Sequence, residues 1–303
     1  MRIALVFVSL VFVACRLTTS WAAVGAENTV VISLPKSENP RKNTKKKAKK
    51  KSLYDDMSLI PAGEFQMGSD KFPAAFLENP KHSVCLDAFY IDKHEVTLAQ
   101  YLKFAIATKR YEQAASEADL MRAEQIKQYA DTLDTVDAGE ILSHPVNYVS
   151  WYDAKDYCSW AGKRLPTEAE WEKAARGGAD TLWFFGDEPD AIDEYAWTDN
   201  NGPHPVGLKK PNQHGLYDIY GNVWEWVFDR VNSYEHYYAN SEKKNPQGPA
   251  TGKKEVRGYR GGSGTHPSKR KTAAYTMRSG NRNWFDAKMK VRFIGLRCAA
   301  SKP

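Results

Sequence analysis

The stretch GLYDIYGNVWEW, residues 215–226, sets the hardest condition on the fold. It is apolar and aromatic, yet it carries Glu225 between two tryptophans and Asp218 seven residues earlier. Such a segment belongs in a core. A carboxylate there has to be neutralised or saturated with hydrogen bonds, because burying it alone is costly. Its partner is therefore a metal, a base such as arginine, or a set of backbone amides, and the stretch alone leaves all three open.

The rest of the chain can supply such a core. It has 303 residues, 42% hydrophobic and 12% aromatic, enough for one large domain or two ordinary ones. The first 54 residues differ. Residues 3–14, IALVFVSLVFVA, follow Arg2 and precede the small-residue string WAAVGAEN. That is the pattern of a secretory signal, with cleavage expected after Ala26 and an exported, periplasmic product. Anchoring as a lipoprotein at Cys15 is the alternative, and an uncleaved N-terminal anchor is a third reading. The apolar run is short for a bilayer span, and the expected mature chain has no transmembrane span.

Residues 27–54 read as a disordered basic linker. Positions 41–51 hold eight Lys or Arg and no acid, so the formal net charge of +6 less these eight leaves −2 for the remainder. Such a tract cannot collapse. It reads as a solvated linker or as an attachment to an anionic envelope surface. Export makes nucleic acid an unsuitable partner.

From residue 55 to 302 the sequence reads as one domain. Residues 59–69 and 85–97 have strand character. Thr97 with Gln100 forms a capping box for a helix near 98–108. Residues 109–142 are charged and helix-favouring, a helical insertion or a solvated surface helix. A helix near 151–161 stops at Gly162, with Cys158 on its inner face. Thr167 with Glu170 starts another, which ends at Gly177-Gly178. Residues 179–303 are rich in Gly, Pro, Asn and aromatics, which predicts much irregular structure.

Five strings occur in order: IPAGEFQMGS, WAGKRLPTEAEWEKAARGG, GLYDIYGNVWEW, YRGGS and IGLRCAAS. Together they resemble the formylglycine-generating enzyme, or sulfatase-modifying factor, family over roughly residues 55–302. The resemblance implies an α/β (α+β) single domain related to C-type lectins. It implies structural calcium on the side chains of Asp218 and Glu225 and the carbonyls of Gly221 and Val223. Mixed carboxylate and carbonyl oxygens suit that ion, and alternate positions of an extended segment point one way, leaving Trp224 and Trp226 to face the core. A second family calcium site, near 196–206, does not carry over. The resemblance also implies a Cys158–Cys298 disulfide, which export permits, and leaves Cys85 over.

One departure decides the expected activity. Family members that make formylglycine use two copper-binding cysteines soon after GGS. Here residues 260–284 contain no cysteine, and Thr265 or His266 and Arg270 or Lys271 fall at the matching places. Those residues do not replace thiolates toward copper(I), so formylglycine generation by the usual route is not expected. The matching cleft would be lined by Trp224, Ser263, His266, Tyr275, Arg278 and Trp284. His94, His144, His204 and His214 are further candidate ligands for a redox metal, without metal-motif spacing. Two functions follow. One is an exported maturation or accessory factor, an oxidoreductase if it is an enzyme, acting on a peptide or peptide-derived substrate. The other is a non-catalytic, lectin-like binding module that holds a protein or envelope partner.

Overall fold

The computed structural model describes residues 52–71, 78–110, 138–199, 201–231, 238, 241–249, 255–264 and 274–303. The expected signal, the lysine tract, most of the helical insertion and His266 lie outside the described residues. The strands are β1 (Met57–Ile60), β2 (Gly63–Met67), β3 (His82–Leu86), β4 (Phe89–Asp92), β5 (Trp224–Arg230), β6 (Val256–Arg260), β7 (Arg282–Asp286), β8 (Ile294–Gly295) and β9 (Ala299–Ser301). The helices are α1 (Leu98–Ala107), α2 (Ala138–Leu142), α3 (Trp151–Trp160), α4 (Glu168–Arg176) and α5 (Ile192–Tyr195). This is the expected mixed α/β single domain with much irregular structure.

The helix starts follow from local chemistry. Thr97, Ser150 and Thr167 each accept a hydrogen bond from the third helical amide, and the side chain at that position returns one to the cap amide. In α3 the returning group is Asp153 rather than Glu or Gln. Helix α4 has Glu168 and Glu170 in its first turn and Lys173 and Arg176 in its last, which complements the helix dipole. Gly177, at φ 57°, ends it in the left-handed conformation that glycine adopts without strain. The expected strand over 85–97 is instead split between β3 and β4, interrupted at Asp87-Ala88.

The strands form an antiparallel sheet in the order β1-β4-β9, an antiparallel β2-β3 pair, and a four-stranded sheet in the order β7-β6-β5-β8. Within the last, β5 is antiparallel to β6 and parallel to β8, with Glu225 aligned with both Arg260 and Gly295. Arg260 in turn aligns with Arg282 on β7. Strand β5 is buried on both faces. Trp224 and Trp226 pack into a cluster with Trp151, Tyr157 and Leu296. The other cluster is built on Trp171, Trp183, Ile219 and Tyr220. The row Glu225, Arg260, Arg282 is directed toward α4, all nine residues of which are buried.

That interface is ionic as well as apolar. Arg282 makes a two-pronged pair with Glu168, both contacts at 2.8 Å. Arg260 pairs with Glu172, and Glu172 also takes Arg176 at 2.7 Å. Trp171 donates its indole N–H to Glu225 Oε2 at 2.7 Å. Sequence spacings of three and four place 168, 171, 172 and 176 on one helix face, so a single helix answers the whole row.

Cys158 of α3 and Cys298, just before β9, are joined by a disulfide across 140 residues. Closing so long a loop restricts the unfolded chain. Cys158→Ser should therefore lower stability under oxidising conditions by about 2–5 kcal/mol. Urea melts with and without reductant check this: reduced wild type should match the variant.

Candidate functional site

The loop 217–223 turns sharply before β5. Asp218, Gly221 and Asn222 have φ of 50°, 78° and 50°. At Gly221 glycine is required twice, since φ is positive and a Cβ would lie 2.8 Å from the carbonyl oxygen of Trp197. The turn sets Asp218 and Glu225 beside Arg297, which precedes Cys298.

Of the partners the sequence left open for Glu225, the structure supplies an arginine. Arg297 grips both carboxylate oxygens, Nε on Oε2 and Nη2 on Oε1, each at 2.7 Å. It also donates to the carbonyls of Tyr217 at 2.9 Å and Asp218 at 3.3 Å. Both partners of this pair are fully buried. A bidentate guanidinium is the geometry in which such a pair is strongest.

Asp218 is not matched in the same way. Its Oδ2 accepts from the Gly207 amide at 2.6 Å, while Oδ1 is buried with no hydrogen-bond partner among the described residues. Beside it is Glu95, which accepts from the Val223 amide at 3.1 Å and from Asn222 Nδ2 at 2.6 Å. Three carboxylates therefore share one guanidinium. Burial, and then repulsion from Asp218 and Glu225, pushes the Glu95 carboxyl well above its ordinary range. Burial likewise raises Asp218, against the Gly207 amide and Arg297, which lower it. Glu172 makes the comparison: it is just as buried, but Arg176 and Arg260 overcome desolvation and hold it below the usual carboxylate range.

A hard cation fits this donor set. The cluster is buried, rich in oxygen and net negative, and Asp218 Oδ1 is unclaimed. Glu225 would have to share its carboxylate with Arg297. Among the described residues no three His, Cys, Asp or Glu side chains gather as a metal site on their own. A cation at this loop would thus need main-chain carbonyls as well.

The other cleft candidates are differently placed. Trp224 is buried edge-on to Tyr259, with ring centroids 5.0 Å apart. Ser263 is buried and its hydroxyl donates to the Asn222 carbonyl at 3.3 Å. Arg278 is also buried, its guanidinium on Glu78 and on the Tyr275 carbonyl. It serves as an internal tie rather than a basic rim. Tyr275 is exposed beside Trp183, and Trp284 is half-buried. The histidines are dispersed. His94 stacks on Tyr217, and burial lowers its pKa. His144 bonds the Glu140 carbonyl. His204 stacks on Trp197 at 3.7 Å and pairs with Asp199. Burial, with nearby Lys173, lowers the pKa of His214. Sequence reasoning missed Glu95, Trp171 and Arg297 as partners of the loop. Arg297 stood inside the quoted string IGLRCAAS, but nothing local tied it to Glu225, 72 residues away.

Residues 42–302 match the family described as the sulfatase-modifying factor enzyme 1-like domain, and the chain belongs to it. It is 34% identical to the formylglycine-generating enzyme of Bos taurus, over 80% of this chain and 74% of that one. It is 36% identical to that of Streptomyces coelicolor, over 67% and 77%. Among solved structures it resembles Treponema denticola variable protein 1, with a TM-score of 0.61 and 27% identity over 81% of this chain and 95% of that one. It also resembles PvdO from Pseudomonas aeruginosa, with a TM-score of 0.59 and 25% identity over 84% and 100%.

Two outcomes follow for the loop. Arg297→Met leaves Glu225 buried without its charge partner and should cost about 3–5 kcal/mol in urea unfolding. Glu95 has a raised folded-state pKa, so its contribution to stability is present below its unfolded pKa and lost as pH rises through the folded one. Calcium-free protein should therefore lose stability as pH rises above the ordinary glutamate range, and Glu95→Gln should flatten that slope in thermal melts.

Proposed function

We propose that this member of the sulfatase-modifying factor family is an exported maturation or accessory factor for a peptide or peptide-derived partner, and that it does not use the two-thiolate copper chemistry of formylglycine generation. The cysteines carry this reading. The sequence has four. Cys158 and Cys298 bind each other, Cys15 falls in the expected signal, and Cys85 lies by itself in β3. No adjacent pair of thiolates for a soft copper(I) ion can be drawn from that set. If the protein is catalytic, its chemistry is an oxidation using other groups. A second reading, a non-catalytic lectin-like module, is favoured by the burial of Trp224, Ser263 and Arg278, which leaves the exposed Tyr275 and the half-buried Trp284 as aromatic contacts among the described cleft candidates.

We also infer that calcium occupies the 218–225 loop, held by the Asp218 and Glu225 side chains and the Gly221 and Val223 carbonyls. There it supplies the positive charge that the three carboxylates lack, and its role is structural. The lysine tract at 41–51 would keep the exported domain near an anionic envelope surface.

Cysteine-containing peptides incubated with the mature protein and copper should emerge unconverted, as read by mass spectrometry. Thiol-to-aldehyde conversion would overturn the main reading. Oxygen uptake that depends on a peptide would identify an oxidase; specific peptide binding with no uptake would identify the binding module. Adding calcium should raise the melting temperature, a chelator should reverse this, and Asp218→Asn should abolish the response. A wild-type melting temperature indifferent to both would remove calcium from the loop.

A further inference from the structure

A second polar site lies away from the 218–225 loop. Between the Gly68–Lys71 turn, Lys81, Thr181 and Gly280 is a pocket of about 300 Å³. Glu78 forms part of its wall. Its side chain is 1% exposed. Oε1 receives the Arg278 guanidinium, but Oε2 is buried with no hydrogen-bond partner among the described residues. That oxygen faces Gly280, lying 2.9 Å from where a Cβ on this residue would be. A buried carboxylate oxygen left bare is costly unless something donates to it.

The charges around the pocket indicate the sign of the missing donor. Three cations line it, and each has its own carboxylate. Arg176 is on Glu172 at 2.7 Å, Lys81 on Asp180 at 2.5 Å and Lys71 on Asp187 at 2.6 Å. The acceptors left over are Glu78 Oε2 and Asp70. Asp70 accepts the Lys81 amide at 2.9 Å and forms no ion pair among the described residues. An anion entering here would meet matched cations and the carboxylate of Asp70, which forms no ion pair among the described residues. A group rich in N–H donors would meet an empty acceptor. The volume suits one side chain or a small amine rather than a large ligand.

We propose that this pocket binds the cationic end of a ligand, a guanidinium or primary ammonium group, with Glu78 Oε2 as the buried anchor and Asp70 at the mouth. The same chemistry is offered by a free amine and by an arginine or lysine side chain of a peptide. The site shares no residue with the 218–225 loop and stands whether or not the protein is a catalyst.

The test is calorimetric titration of the full-length, disulfide-bonded protein with arginine methyl ester and with butylammonium. Acetate and inorganic phosphate are the controls. Both cations should bind saturably, and neither anion should. Glu78→Gln and Gly280→Ala, the latter placing a methyl group against the anchoring oxygen, should each weaken binding about tenfold or more. Asp70→Asn should weaken it about threefold. If Glu78→Gln does not fold, Gly280→Ala and Asp70→Asn carry the test, since one fills space and the other changes a surface group. A peptide with a single arginine that binds about tenfold tighter than the free ester would identify a peptide as the source; equal affinity would identify free amines. No cation binding, cation binding unchanged in Gly280→Ala and Asp70→Asn, or saturable phosphate binding in its place would overturn the proposal.

Discussion

A row of charges crossing a sheet, answered by one buried helix, is the arrangement on which the rest of this domain depends. Glu225, Arg260 and Arg282 align across three adjacent strands, and Trp171, Glu172 and Glu168 receive them from a single face of α4, with Arg176 of the same helix completing the partners of Glu172. Desolvating so many ions is unfavourable, and only a complete set of partners offsets it. The arrangement therefore favours one register and one helix rotation. A slip of one residue along β5 would set Trp224 or Trp226 against the ions and leave Glu225 in the aromatic cluster.

The contrast between that interface and the neighbouring loop locates the interest of the molecule. Around α4 every carboxylate finds a guanidinium. Around Asp218 three carboxylates converge on Arg297, with Lys209 a lesser influence on Asp218. Both regions are buried to the same degree, so the difference lies in partner count rather than solvent. Arg297 couples the two, because Glu225 belongs both to the cross-sheet row and to the loop. A change in how Asp218 is satisfied is thus felt at the centre of the sheet.

The parts of this structure that were legible in the sequence are those with short-range chemistry. The Thr97 and Thr167 caps, the Gly177 stop and the inward face of Cys158 follow from neighbours a few residues away. Ser150 with Asp153 is the same device with a shorter acid, which a search for Glu or Gln overlooks. The break at Asp87-Ala88 carries no glycine or proline to announce it. The disulfide was implied by family resemblance rather than by spacing. The opening stretch did state that Glu225 needs a partner, but the choice among metal, arginine and amides depended on Arg297. The Glu168–Arg282 pair likewise spans 114 residues. The burial of Arg278 was hidden for the same reason: its string gives no sign of Glu78, 200 residues earlier, which draws it inside.

Strand β4 shows what such long reach means in time. It lies between β1 and β9, with Ile91 opposite Ala299. A ribosome adding about 5–20 residues per second takes roughly 10–40 s to get from one of those positions to the other. Throughout that interval an emerging strand with apolar side chains has one open edge, and Glu225 appears before the arginine that neutralises it. The domain is thus bound to be finished late. Until its partner arrives, that edge is the part of the nascent chain open to pairing with another strand.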